Sequence, residues 1–313
     1  MFHYKGMEIR LHHVFFHYRD ENANFGVLRD LHFALKSGEC VALLGPSGSG
    51  KTTLAQILNG LLRPVQGGLF IDGVELVYKP EELKRLRERV GLVFQFPEAQ
   101  IFEATVYDEV AFAAKQSPNR SDQLAASVHQ ALTEVGLDPE RFIGRNPFRL
   151  SGGEARLVTI ASLIVVDPDW LILDEPTLGL DGFHTQKIIA LLRRRKARKR
   201  GTLLITHDLD LAAAECPRTL VLVGGVLKYD GSTLALIKDH DLHSEFSLED
   251  SDLLRLWKKL REHFSEIGAV SPAALNHWAR GLDIEKRRRI AQILNDELIS
   301  WNAVNFAPKK SLK

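Results

Sequence analysis

Apolar and polar side chains alternate along residues 7–16 and again along 27–36, the two-residue period of a half-buried strand. The polar stretch 20–26 between them reads as a loop, and Ser37-Gly38 as a turn. An unbroken apolar run, Cys40-Val41-Ala42-Leu43-Leu44, predicts a buried strand. A helix follows through Thr53 to Leu58, ended by Asn59-Gly60 and Pro64. Gln66-Gly67-Gly68 reads as a turn, and residues 69–71 and 74–76 flank Asp72-Gly73, a hairpin signal. Further on, the pattern predicts a charged helix over 80–89 and a short strand over 90–94. Helices over 105–116 and 121–135 flank Ser117-Pro118-Asn119, and another runs from Ser151 to about 165. A strand at 170–173, a helix at 185–200, a strand at 202–206 and a hairpin of 219–223 with 226–229 complete it.

Strands alternating with helices from 40 to 206 imply an α/β fold with a mostly parallel sheet covered on both faces. The region of about 98–165 lacks a clear strand and reads as a helical subdomain, and the section before residue 40 is β-rich. From about 236 the pattern changes. Leu253, Leu254, Trp257 and Leu260 share a helical face, Ser271-Pro272 opens a second helix, and 284–301 makes a third. The chain therefore divides into residues 7–235 and a C-terminal helical extension, 236–313.

At 313 residues, 45% apolar and 26% charged, the composition is that of a soluble globular protein, and a net charge of +1 gives no global field to recruit nucleic acid. The two cysteines, Cys40 and Cys216, supply no disulfide or zinc framework, and a reducing compartment is expected. No signal peptide is expected, because no apolar region follows Met1. The most apolar stretch, 157–166, is shorter than the roughly 18–20 residues that span a bilayer, so work at a membrane is expected to go through a partner. The basic run from Arg193 to Arg200 is expected to be a solvated helix end, favoured by the helix dipole.

Three stretches carry chemistry. Gly45-Pro46-Ser47-Gly48-Ser49-Gly50-Lys51-Thr52, between strand and helix, is a phosphate-binding loop. Its glycines let backbone N–H groups point at one phosphate chain, Lys51 reaches the outer phosphates, and the Thr52 hydroxyl holds Mg²⁺. Leu171-Ile172-Leu173-Asp174-Glu175 delivers two acids to the carboxyl end of a strand, where parallel sheets bind ligands. Asp174 is a candidate Mg²⁺ ligand and Glu175 a candidate general base. Leu150-Ser151-Gly152-Gly153-Glu154 exposes N–H groups and a hydroxyl at a helix start, a second anion site suited to a nucleotide on another subunit.

In order and spacing these stretches resemble the ATP-binding cassette (ABC) ATPases over roughly residues 8–235, with Gln95, Leu178-Gly179-Leu180-Asp181 and His207 as further motif positions. The resemblance implies a P-loop NTPase fold, ATP hydrolysis with Mg²⁺, and a head-to-tail pair of cassettes. It implies that Tyr18 stacks on adenine, that Thr53 belongs to the nucleotide site, and that Gln95 contacts Mg²⁺ and water. Asp181 would act across the pair, and His207 would orient Glu175. The segment Gln95-Phe96-Pro97-Glu98-Ala99-Gln100-Ile101-Phe102, with Thr105-Val106 and Asp108 to Phe112, looks like the ATPase of energy-coupling-factor importers of vitamins or transition-metal ions. That likeness implies a second ATPase subunit, an integral membrane coupling protein, a separate substrate-binding membrane subunit, and a peripheral place on the cytoplasmic face of the cell membrane. No direct nucleic-acid partner is expected. The alternatives are another ABC transporter type, or a soluble nucleotide-gated clamp on nucleic acid or ribosomes. In one departure from the family pattern, Leu157 stands where an arginine is usual, next to Arg156.

Overall fold

The N-terminal alternation builds an antiparallel sheet. The computed structural model describes residues 6–18, 26–95, 100–115, 123–239, 242, 245–246, 260–261, 264 and 285–286. Strand β1 (Ile9–Phe16) pairs antiparallel with β2 (Leu28–Leu35), while β3 (Cys40–Leu44) enters a second sheet. On its other edge β1 pairs with β4 (Gln66–Ile71), which turns at Asp72-Gly73 into β5 (Val74–Glu75). Gln66-Gly67-Gly68 is therefore strand rather than turn. Its backbone groups are satisfied by β1, through Phe15↔Gln66 and His12↔Gly68, and Gly67 takes a φ of 78° where β1 bulges against it.

The second sheet adds β6 (Val90–Val93), β7 (Trp170–Asp174), β8 (Gly201–Ile205), β9 (Arg218–Val223) and β10 (Val226–Ser232). Its order is β10-β9-β3-β8-β7-β6, parallel throughout except for β10. Both faces are buried, which explains strands with no polar alternation. Ala42, Leu44, Leu171, Leu173 and Leu204 join one apolar cluster, and Val41, Leu43, Trp170, Ile172 and Leu203 join the other. The second cluster is closed by β1, β2 and helix α1 (Lys51–Leu58). The first is closed by the helical region. After α2 (Pro80–Arg89), that region holds α3 (Val106–Lys115), α4 (Leu124–Val135), the short α5 (Pro139–Phe142) and α6 (Gly152–Ile164), with α3 and α4 packed on α6. Cys40 and Cys216 are free and buried, with sulfurs 3.0 Å apart.

Helix α7 (Gly182–Ala197) starts earlier than its apolar pattern predicts, because Asp181 caps it by accepting from the His184 N–H at 2.8 Å. Helices α8 (Leu209–Glu215) and α9 (Thr233–Lys238), like α5, were not foreseen. Each carries a side-chain cap, from Asp208, Ser232 and Asp138 respectively, but is too short to show a period. Phe246, Leu260 and Phe264 are buried in the cluster under the helical region. The rest of the expected C-terminal helices, at 253–259, after Ser271-Pro272 and over 284–301, lie outside the described residues, apart from 285–286. So do most of the 20–26 loop, segment 96–99 and Ser117-Pro118-Asn119.

The basic run is not simply a solvated helix end. Arg195 is 3% exposed and donates to the carbonyls of Pro168 and Gly201 at 3.0 and 2.9 Å. Arg193 grips Glu215, Arg194 pairs with Glu134, and Arg200 pairs with Asp167 and Asp169. The run ties α7 to α4, α8 and the entry to β7. Removing Arg195 takes its donors away from the Pro168 and Gly201 carbonyls. In urea unfolding, Arg195→Ala is expected to cost about 3 kcal/mol, and exposed Lys196→Ala to stay within about 0.5 kcal/mol of the parent.

Candidate active site

At the end of β3 the chain curls through residues 45–50 into α1. Gly45 has a φ of 140°, and a Cβ there would lie 2.0 Å from the Leu222 carbonyl oxygen, so only glycine makes this turn. Inside the curl Lys51 Nζ donates to the carbonyls of Gly45 and Pro46 at 2.7 and 2.9 Å. Burial pulls the Lys51 pKa down, while Asp174 and Glu175 push it up. Both partners of Lys51 are neutral, and a phosphate oxygen makes a stronger, charge-assisted bond than a carbonyl does. Ser49 Oγ is buried without a hydrogen-bond partner among the described residues. Beside the loop, the half-exposed Tyr18 places its hydroxyl 3.1 Å from Thr53 Oγ1 and its ring edge-on to Phe16.

The carboxyl end of β7 supplies the acids. Asp174 Oδ2 accepts from Thr52 Oγ1 at 2.9 Å, and burial raises its pKa against the pull of Thr52 and Lys51. Glu175 takes a φ of 50°, a left-handed conformation costing of order 1–3 kcal/mol, held by its N–H to the Ile205 carbonyl. Its Oε2 accepts from Thr206 Oγ1 at 3.3 Å. Its Oε1 lies 3.7 Å from His207 Nε2, too far for a hydrogen bond, and is buried without one among the described residues. Burial holds this carboxyl above its usual range, the His207 charge opposing. Lys51, Thr52, Asp174, Glu175 and His207 are thus gathered at one edge of the parallel sheet. Thr206, which sequence reading missed, orients Glu175. Its signal was a hydroxyl residue at a strand's carboxyl end, directly before His207.

Ser151, Gly152, Gly153 and Glu154 lie elsewhere, in an open cleft shared with Leu178, Gly179 and Asp181. Among the described residues, no hydrogen bond or ion pair links Ser151, Gly152, Gly153 or Asp181 to Lys51, Asp174 or Glu175. Ser151 and Glu154 form a capping box at the start of α6, and Glu154 also pairs with Arg145 at 2.9 Å. These bonds, above all the Ser151 N–H, hold Glu154 below its usual carboxylate range although burial opposes them. Asp181 is exposed and held low by the His184 N–H it caps. Arg156 donates to the carbonyls of Gln95 and Leu178, joining the end of β6 to the segment after Glu175, while Leu157 is core. The contacts of this junction are made by Arg156, the neighbour of Leu157.

A second cleft, of about 710 Å³, lies between α2 and the helical region, with Leu83, Ala113, Leu163, Val166 and Pro168 in its walls. Nearby in sequence, Ile101 is buried, whereas Phe102 and Phe112 are exposed and stack edge-to-face at 4.7 Å. Buried Glu109 fixes this segment by accepting from the N–H groups of Phe102 and Glu103 at 3.0 and 2.9 Å. Phe96 lies outside the described residues. Among the described residues no helix is long and apolar enough to cross a membrane.

Residues 28–178 match the family described as ABC transporter. The chain is 35% identical over 234 residues to the energy-coupling factor transporter ATP-binding protein EcfA2 of Clostridium tetani, covering 74% of this chain and 81% of that protein. It superposes on cbiO1 from Clostridium perfringens, described as part of the ABC transporter complex cbiONQ. That match has a TM-score of 0.65 and 30% identity, and covers 80% of this chain and 98% of the other. It also superposes on the ATP-binding cassette MJ0796, in a dimeric post-hydrolysis state bound to ADP and Pi, with a TM-score of 0.67, 27% identity, and coverage of 72% and 98%.

A raised carboxyl pKa means that ionised Glu175 costs folding free energy, fully above its folded pKa and not at all below its ordinary 4.5. Without nucleotide, Glu175→Gln is therefore expected to raise the melting temperature at pH 8. The gain should shrink as the pH falls toward 4.5. Differential scanning fluorimetry across that range checks the sign.

Proposed function

This chain belongs to the ABC transporter ATP-binding proteins and is an ATPase of that family; from that premise we propose that it drives an importer of the energy-coupling-factor type, taking up a vitamin or a transition-metal ion. What supports the proposal is that Ser151, Gly152 and Gly153 line a cleft with Leu178 and Asp181, and that among the described residues no hydrogen bond or ion pair ties them to Lys51 or Glu175. One copy alone leaves a triphosphate open on one side. Two copies head to tail bring the Ser151-Gly152-Gly153 tip of each over the phosphate loop of the other, with Asp181 near the join. ATP favours the closed pair because its phosphates bridge two positive surfaces.

The orphan Ser49 hydroxyl and the curl around Lys51 fit a triphosphate, and the Thr52–Asp174 pair fits a hard cation with oxygen ligands. Thr52, Asp174 and Gln95 would hold Mg²⁺, which would supply neutralisation of phosphate charge. Tyr18 stacks on the adenine, and Thr53 steadies the Tyr18 hydroxyl. Glu175 takes the proton from the attacking water at Oε1, the oxygen left without a hydrogen bond, and its raised pKa makes it a better base. Thr206 fixes the other oxygen, and His207 orients the carboxylate.

Hydrolysis reopens the pair, and the Arg156 link between Gln95 and Leu178 carries the change toward the apolar cleft beside α2. An integral membrane coupling protein docks on this part of the chain, where Phe102 and Phe112 are exposed. The kinship with a protein named as an energy-coupling factor ATPase supports this choice over other transporter types. In this reading residues 7–235 form the ATPase domain, with its helical subdomain at about 98–165, and 236–313 an extension. The protein sits peripherally on the cytoplasmic face of the membrane, beside a second ATPase subunit and a separate substrate-binding membrane subunit.

Glu175→Gln is expected to lower steady-state hydrolysis by about 10²–10⁴-fold while ATP binding persists. Phosphate release undiminished by the change would refute the assigned role. Lys51→Ala is expected to weaken ATP binding at least about tenfold by calorimetry, ~1.4 kcal/mol. Affinity purification from gently solubilised membranes should recover an integral membrane protein. Recovering none would overturn the importer reading.

A further inference from the structure

Three imidazoles converge on the solvent face of the four-stranded sheet, outside the groups gathered around Lys51. His12, His13 and His32 are exposed, and each offers a ring nitrogen within 4.8 Å of the other two. Their ring centroids lie 4.7, 5.2 and 5.1 Å apart.

Consecutive residues of a regular strand point to opposite faces, so His12 and His13 should not be neighbours on one face. A β-bulge brings them together. The register runs Leu11↔Phe33 and then Val14↔Leu31, so two residues of β1 oppose the single His32 of β2. Leu11 and Val14 both stay in the core, and both histidines between them are turned outward. A second irregularity follows at once. Val14↔Leu31 gives way to Phe16↔Leu28, and Asp30 takes a φ of 52° while His13 takes 48°. These turns set Asp30 Oδ1 against His13 Nδ1 at 2.6 Å. With the proton on Nδ1, the His13 Nε2 lone pair is free. A carboxylate on the far nitrogen is the arrangement that fixes ring and tautomer in metal-ligating histidines. The side chains of His12 and His32 make no hydrogen bond among the described residues.

We propose that His12, His13 and His32 bind one divalent late transition-metal ion, of the Zn²⁺ or Cu²⁺ class, with Asp30 positioning His13. Three neutral nitrogen donors suit these ions and not Mg²⁺ or Ca²⁺, which take oxygen ligands. Nitrogens bound to one tetrahedral ion at about 2.0–2.1 Å sit roughly 3.4 Å apart, so small side-chain rotations bring the three onto one centre. Solvent completes the coordination, and the ion pins β1 to β2. The site is independent of the transport reading, since no residue of the ATP chemistry takes part.

The test is calorimetric titration of the tag-free, nucleotide-free full chain with ZnCl₂. The wild type is expected to bind with a stoichiometry of one at this site. His32→Ala should weaken that binding at least tenfold, and Asp30→Asn by about 10–100-fold. ATPase activity of both variants should match the wild type, which establishes that they fold. A wild-type titration without saturable binding, or one unchanged by His32→Ala, overturns the proposal.

Discussion

The chemistry depends on keeping opposite charges partly dry at one edge of a sheet. Both faces of the parallel sheet are buried, and polar groups at the carboxyl ends of its strands meet where such sheets bind ligands. There Lys51 faces Asp174 and Glu175. Burial presses the lysine down and both acids up; the acids oppose the shift of Lys51, Lys51 opposes that of Asp174, and His207 opposes that of Glu175, which the Asp174 charge raises further. Such a cluster is poised for a polyanion, which replaces the carbonyls that now hold Lys51. Water outside would weaken every one of these interactions. The glycine curl, the strained Glu175 backbone and the Thr206 contact all serve to hold that cluster in place.

The cluster was legible because it stands on apolar strands. Cys40 to Leu44 and Trp170 to Leu173 are runs that only a doubly covered sheet explains, and the loop and acid pair follow them directly. Less legible were the parts set by tertiary contact. Arg195 sits in a run of charges that reads as a solvated end, yet it satisfies two buried carbonyls. The β1 bulge hides in the same way. A two-residue period sends His12 and His13 to opposite faces, and only the pairing with β2 shows them together. Short helices such as α8 left only a cap residue as a signal.

The proposal that two copies act together rests on the Ser151 tip. Its hydroxyl and Glu154 complete a capping box, so the tip is rigid before any nucleotide arrives. A Cβ at Gly152 would meet open space, and the tip lines an open cleft with Leu178, Gly179 and Asp181. Arg156 links that helix to Gln95 and to the segment after Glu175.

The most direct measurement is a structure of the Glu175→Gln protein with ATP and Mg²⁺. The account predicts two chains head to tail, with each triphosphate held by Lys51 of one and within hydrogen-bond reach of Ser151 of the other. A single chain closed on its nucleotide, or Ser151 remote from every phosphate, would contradict it.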